Sequence, residues 1–262
     1  MLNIKQEIVF PKTLDKNVLY GDLPTSGIPF NKKDWDKRKQ NNNKEVFQNE
    51  INQYGFRSDN FKTNHSGKHI LFLGCSYTWG TGLFIDEVWS KLVYEKIKLT
   101  KQVDGYFNLG IPGDSIYVSI INSFKYFKNF NNPDIIFFNI QDLERFFAYD
   151  QQTNSLFKSI VKDNEILYLI AYHYYYMLEQ YCEQNNIKLF SFSWNEKNNN
   201  YFKDFKTFYS LDFNKIKEFV SQYEIKHPNV EGSILARDNQ HVGSAYHNCW
   251  AEHIYSEYER SV

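Results

Sequence analysis

Ser76, Asp238 and His241 are the residues whose types and spacing could do chemistry. Ser76 stands in Gly74-Cys75-Ser76-Tyr77-Thr78-Trp79-Gly80-Thr81-Gly82, just past an apolar run that ends at Leu73. A serine at that place sits where a helix N-terminus should begin. Backbone N–H groups there can face an anion. A nucleophilic hydroxyl needs this, because its tetrahedral intermediate develops an oxyanion. The same turn also suits a serine that only caps a helix. Near the other end stands Asp238-Asn239-Gln240-His241-Val242-Gly243. An imidazole with a reference pKa of about 6.5 can take a hydroxyl proton and hand it to a leaving group near neutrality. An aspartate three residues earlier can accept the other ring N–H, which fixes the tautomer and stabilises the imidazolium. A surface Asp and His that never meet are the plainer alternative. Between these segments lies Asn108-Leu109-Gly110-Ile111-Pro112-Gly113-Asp114-Ser115. Its glycines and proline hold a tight turn in which a main-chain N–H can approach a ligand closely. An ordinary strand-to-helix turn would look the same.

These residues need elements to position them. His69 to Gly74 is a short apolar run ending in Gly, which predicts a buried strand. Tyr106 to Leu109 and Ile135 to Ile140 predict two more, and Ile187 to Trp194 a fourth. Helical spacing predicts helices over Asp86 to Leu99, with Asp86 as N-cap, and over Ser115 to Phe127, Glu165 to Asn185, Asp212 to Tyr223 and Ser244 to Tyr258. Strands apolar on both faces, alternating with helices, imply a mostly parallel sheet covered on both sides. Sheets of this type carry their sites beyond the carboxyl ends of the strands. Ser76, Gly113 and the segment after Ile140 all fall there. The expected architecture is a flavodoxin-like three-layer α/β/α domain over residues 66–262. Residues 1–65 form an N-terminal extension, punctuated by Pro11, Pro24, Gly27 and Pro29, with a polar stretch from Asn31 to Asn52. The Lys/Arg excess of Lys32 to Lys44 reads as a solvated surface that could touch an acidic partner.

Taken together, in this order and on these elements, the three segments resemble the SGNH (GDSL-like) hydrolase family. The first matches its Gly-Asp-Ser block, with Cys75 in place of the Asp. The second is similar to the block whose last Gly, here Gly113, donates an oxyanion-hole N–H. Asp238 and His241 match its closing Asp-x-x-His, and Asn52-Gln53-Tyr54-Gly55-Phe56-Arg57 resembles a segment upstream in some members. The resemblance spans about residues 52 to 258. It implies a serine esterase or acyl-hydrolase with Ser76 as nucleophile, His241 as base and Asp238 as its orienting partner. The oxyanion would rest on the N–H groups of Ser76 and Gly113. The family's Gly-x-Asn-Asp block is replaced by Ile140-Gln141-Asp142-Leu143-Glu144-Arg145. Gln141 or Asn139 could supply the missing amide donor, or Arg145 could reach in. The loss of one such donor costs about 2.7–4 kcal/mol in a transition state. Trp79 could wall the acyl pocket. No metal or organic cofactor is implied, and the substrate would be a small-molecule or carbohydrate ester. An O-acyltransferase would use the same residues with an alcohol replacing water. A catalytically weak binding or assembly protein is the other class that the altered block leaves open.

Several features are assigned to packing rather than chemistry. Cys75, replacing an Asp beside Ser76, reads as a buried packing residue. His241, His247, Cys249 and His253 cluster in sequence, but their spacing fits no standard zinc pattern. Tyr172, Tyr174, Tyr175 and Tyr176 crowd one helix around His173 and read as core with hydroxyls reaching the surface, ahead of a sugar-stacking platform. That fits the general bias of the 262 residues, 18 % of them aromatic, with 20 Tyr and 23 Phe. A formal net charge of −1 offers no field to draw in nucleic acid or an anionic membrane. No run of about 18 apolar residues suggests a membrane span. Met1 to Glu7 lacks the apolar core of a secretory signal. Three Cys, odd in number and far apart, fit reduced thiols, so a cytoplasmic location is expected.

Overall fold

The computed structural model describes Asn52, Tyr54 and residues 56–150, 155–160, 165–228, 230 and 232–261, with backbone alone for 146–150 and 155–160. The basic run Lys32 to Lys44 and all of the polar stretch before Asn52 lie outside the described residues.

The apolar run behind His69 forms β1 (Ile70–Leu73), buried at every residue. It is flanked by the short β2 (Phe107–Asn108) and by β3 (Ile135–Ile140), and β3 pairs in turn with β6 (Lys188–Ser193). All three pairings are parallel. The order β2-β1-β3-β6 is the flavodoxin-like order, with the reversal of direction between β1 and β3.

Side-chain alternation divides the core in two. Leu71, Leu73, Ile136, Phe138, Ile140 and Leu189 pack against α3 (Ile116–Phe130) and α4 (Glu165–Gln184). Ile70, Phe72, Ile135, Phe137, Phe190 and Phe192 pack against α2 (Trp89–Lys98), α6 (Phe213–Lys226) and α7 (Ser244–Ser261). Register explains part of the aromatic excess. Phe72, Phe137 and Phe190 are direct cross-strand partners, and their rings stack at 5.5 and 5.4 Å.

One expectation needs correction. Asp86 does not cap a helix: Ile85–Glu87 is a 3-10 turn, and α2 starts after Val88. Between β3 and α4, where the sequence assigned no element, β4 (Arg145–Asp150) and β5 (Ser155–Ile160) pair as an antiparallel hairpin. The remaining elements are α1 (Ser76–Trp79) and α5 (Asn199–Phe202). Of the N-terminal extension, Phe56 and Phe61 are buried in the core cluster of α3 and α4. No helix among the described residues is long and apolar enough to cross a membrane.

Candidate active site

Ser76 opens α1, a single turn launched directly off β1. The turn is tight because Gly74 stands at φ 149°, where an added Cβ would lie 2.1 Å from Thr78 Oγ1 and 2.9 Å from the Asn139 carbonyl. The amides of Thr78 and Trp79 donate to the Cys75 carbonyl. The Ser76 amide donates to nothing among the described residues, so it is available to an anion. The chain leaving α1 is held by Arg57. Its guanidinium, 4 % exposed, donates to the carbonyls of Trp79, Gly80 and Leu83 at 2.9–3.2 Å. This assigns a structural job to a residue of the upstream Asn-x-x-Gly-Phe-Arg segment.

Asp238 and His241 ride on a small closed loop. Leu235 and Val242 form an antiparallel bridge, and Ala236 N–H donates to the His241 carbonyl. At the tip Asn239 takes φ 59°, a left-handed conformation that Asn tolerates better than most residues. Asp238 Oδ1 then accepts from the amides of Gln240 and His241, both at 3.1 Å. Its Oδ2 lies 2.6 Å from His241 Nδ1. Burial pushes the Asp238 carboxyl up, but the His241 ring and the two amides overcome it and hold it below the usual carboxylate range. The anion therefore persists near neutrality, which is what an orienting partner of a histidine requires.

The loop seats directly on the chain that follows Ser76. Arg237 N–H donates to the Gly82 carbonyl at 3.0 Å, and a Cβ on Gly82 would stand 3.0 Å from the Asp238 carboxyl. The Tyr77 ring meets the His241 ring edge-on at 5.3 Å. Arg237 fastens the loop to the 3-10 turn through a paired contact with Glu87 at 2.5 and 2.8 Å. Two segments some 160 positions apart are thus neighbours. The Ser76 hydroxyl itself turns to the Cys75 sulfur, 3.9 Å away, and makes no hydrogen bond to His241.

Gly113 stands at φ 74°, and its amide has no partner among the described residues. Its segment is tied to α1 by Asn108, whose side chain donates to the Thr78 carbonyl at 2.8 Å and accepts from Gly110 N–H at 2.8 Å. Next to Gly113, Asp114 accepts from the Ser119 hydroxyl, and Ser119 accepts from Gln141 Nε2 at 2.7 Å. Gln141 is fully buried just beyond β3 and is linked through Ser119 to the Gly113 turn. One Nε2 hydrogen remains for another acceptor. Asn139 lies on the other side of β3, with Oδ1 accepting from Trp194 N–H and Nδ2 buried and unpartnered among the described residues. Arg145 keeps its Nε 3.9 Å from Asp142, and its Nη1 is buried without a partner there.

Trp79 is 4 % exposed and buried. Aromatic surface beside His241 comes from Tyr77, and the Trp194 ring lies 4.8 Å from that of Tyr77. Neither was singled out from the sequence for this place, because their meeting depends on the loop after β6 folding over α1. Burial and nearby charges raise the Tyr77 phenol to about 12, so it stays neutral. His247 is 1 % exposed and accepts from Trp89 N–H at 3.1 Å. Burial and the neighbouring His241 lower it to about 3, so it is a neutral packing imidazole. Among the described residues no group of three or more His, Cys, Asp or Glu could hold a metal.

No family model and no curated protein matches this chain. Solved structures similar to it include a psychrotrophic esterase from Pseudoalteromonas sp., at 10 % identity over 73 % of this chain and 97 % of that one, with a TM-score of 0.47. An acetyl xylan esterase from the rumen bacterium Butyrivibrio proteoclasticus is similar at 11 % identity over 74 % and 64 %, with a TM-score of 0.46. A GDSL-like lipase from Bacteroides thetaiotaomicron is similar at 14 % identity over 74 % and 89 %, with a TM-score of 0.44.

Proposed function

We propose that this chain is a serine ester hydrolase of the SGNH type, acting through an acyl-enzyme. The observation that carries the proposal is the Asp238–His241 couple, bonded at 2.6 Å and seated on the turn that follows Ser76. With Nδ1–H held by Asp238, the free His241 Nε2 carries a lone pair. The proposed reaction requires the Ser76 hydroxyl to leave the Cys75 sulfur and turn toward that nitrogen by rotation about χ1. Catalytic hydrogen bonds that are open without substrate and close with it are common.

In the proposed reaction Ser76 Oγ attacks the ester carbonyl while its proton passes to His241 Nε2. The amides of Ser76 and Gly113, with Gln141 Nε2, stabilise the oxyanion. The carbonyl re-forms, the C–O bond to the alcohol breaks, and the imidazolium gives its proton to the leaving alkoxide. Water, deprotonated by His241, then releases the acid and regenerates Ser76. The leaving alcohol departs beside His241, so Tyr77 and Trp194 are placed to touch it. A small O-acyl group on a carbohydrate or similar polar alcohol is the substrate class proposed, since a sugar ring presents an apolar face to such rings.

A fluorophosphonate probe with p-nitrophenyl acetate as substrate tests the reading. Wild type should be labelled and should turn over, and Ser76→Ala and His241→Ala should do neither. Equal labelling of all three proteins rejects Ser76 as the nucleophile.

A further inference from the structure

Helix α4 is apolar on two opposite faces, and the sheet uses only one. Ala171, Tyr175, Leu178 and Cys182 are buried in the core. At about 100° per residue, Ile166, Leu169, Ile170, His173, Tyr176, Met177 and Gln180 lie on the far side. That side faces solvent: Ile166 is 67 % exposed, Leu169 56 % and Met177 53 %. From Ile166 to Leu178 the helix carries no Asp, Glu, Lys or Arg. A helix apolar all round belongs in a protein interior.

We infer that this outer face of α4 is a two-fold interface with a second copy of the chain. Three observations favour a second copy. The first is self-complementarity. The outer residues fall symmetrically about His173, three, four and seven positions to either side. An antiparallel pairing centred there sets Leu169 and Ile170 against Met177 and Tyr176 of the other copy, and Ile166 against Gln180. One patch then serves both partners, as an isologous contact requires. The spacing of three and four is that of a helix–helix seam. The second is size. Ile166, Leu169, Ile170, Tyr176 and Met177 are 67, 56, 38, 49 and 53 % exposed, on the order of several hundred Å² together, comparable to the largest patch of a typical monomer and a substantial part of the roughly 800 Å² per partner that a standard interface buries. The third is charge. Helix α4 has no Lys or Arg at all and carries Glu165, Glu179 and Glu183. Helices that lie on membranes are rich in Lys and Arg on their polar face.

Sedimentation equilibrium of the full chain tests this. Wild type should be a dimer, with a dissociation constant on the order of micromolar or below. Leu169→Glu should give a folded monomer by circular dichroism, since Leu169 is exposed. Adding Met177→Lys to Leu169→Glu should restore the dimer, because antiparallel pairing sets each new carboxylate against a new ammonium. His173→Cys should form an intermolecular disulfide with oxidised glutathione, and wild type should not. A wild-type monomer at about 100 μM overturns the inference. A dimer indifferent to Leu169→Glu overturns it too, and a monomeric double variant overturns the antiparallel register.

Discussion

Asp238 binds His241 Nδ1 with an anion, and that charge predicts what a conservative change does. In Asp238→Asn the side-chain amide can donate to Nδ1 instead, which moves the ring proton to Nε2. The imidazole then cannot accept the Ser76 proton. A comparable loss of the buried aspartate in a serine protease costs about 10⁴-fold in kcat, and a fall of that order is expected here, with KM little changed. Steady-state hydrolysis of p-nitrophenyl acetate checks it. Gln141 supports a second prediction. Gln141→Ala should lower kcat about 10²-fold or more by removing an oxyanion donor, while Asn139→Ala should not, because Asn139 lies on the other side of β3 from Ser119 and the Gly113 turn, with its Oδ1 at Trp194 N–H. Equal effects of the two would refute this assignment. Within the candidate site, the Asp238–His241 contact was legible because both residues sit in one short local pattern. Tyr77 and Trp194 were not, since 117 positions separate them and only the packed loop after β6 brings the rings to 4.8 Å.

At the scale of elements, the site depends on how firmly the chain leaving α1 is pinned. Arg57 supplies that by donating to the carbonyls of Trp79, Gly80 and Leu83 in and after the turn. Hydrogen bonds from a charged group contribute about 1.5–3 kcal/mol each in isolation and do not add fully. Arg57→Ala should therefore lower unfolding free energy by about 3 kcal/mol, read from urea denaturation. Activity should fall in the folded fraction as well, because the Gly82 carbonyl in that stretch holds the Asp238 loop through Arg237 N–H. Arg57→Lys should recover little, since one ammonium cannot span carbonyls placed around a planar fork. The four strands of the parallel sheet and the long helices were legible because continuous apolar runs and helical spacing survive in any context. The β4–β5 hairpin was not. Each of its strands has only the other for a partner among the described residues, and a strand defined by one neighbour leaves no buried-run signature. Asp86 was misplaced for a related reason: a 3-10 turn uses the same acidic residues at its start as a helix does.

Across the whole molecule, two buried imidazoles make folding sensitive to acid. His69 is 2 % exposed at the start of β1, stacked on His65 at 3.7 Å and bonded to Tyr126 at 2.7 Å. Burial, with His65 beside it, lowers His69 to about 3, against the pull of Asp134 and Asp104. His247, packed against Tyr77 and Trp250, is lowered to about 3 by burial and by His241. In the unfolded chain both titrate near their reference value of about 6.5. Between about pH 6.5 and 3, the unfolded state therefore holds two protons that the folded state refuses. Stability present above that window is lost as pH falls through it, at up to about 2.7 kcal/mol per pH unit for the pair. Asp104 adds to the loss only lower down. Burial raises its carboxyl, but the amides of Ser66 and Gly67 and the Ser66 hydroxyl win and hold it at about 2, so its share disappears between about pH 4 and 2. The two windows can be separated by urea unfolding at pH 7.5, 6, 5, 4 and 3. The slope between pH 6 and 5 should be halved in His69→Gln, which keeps a partner for Tyr126 without a titrating ring. A wild-type stability that is flat from pH 7.5 to 5 would mean that both imidazoles are protonated in the folded state. His247 would then carry a positive charge next to the base of the proposed reaction.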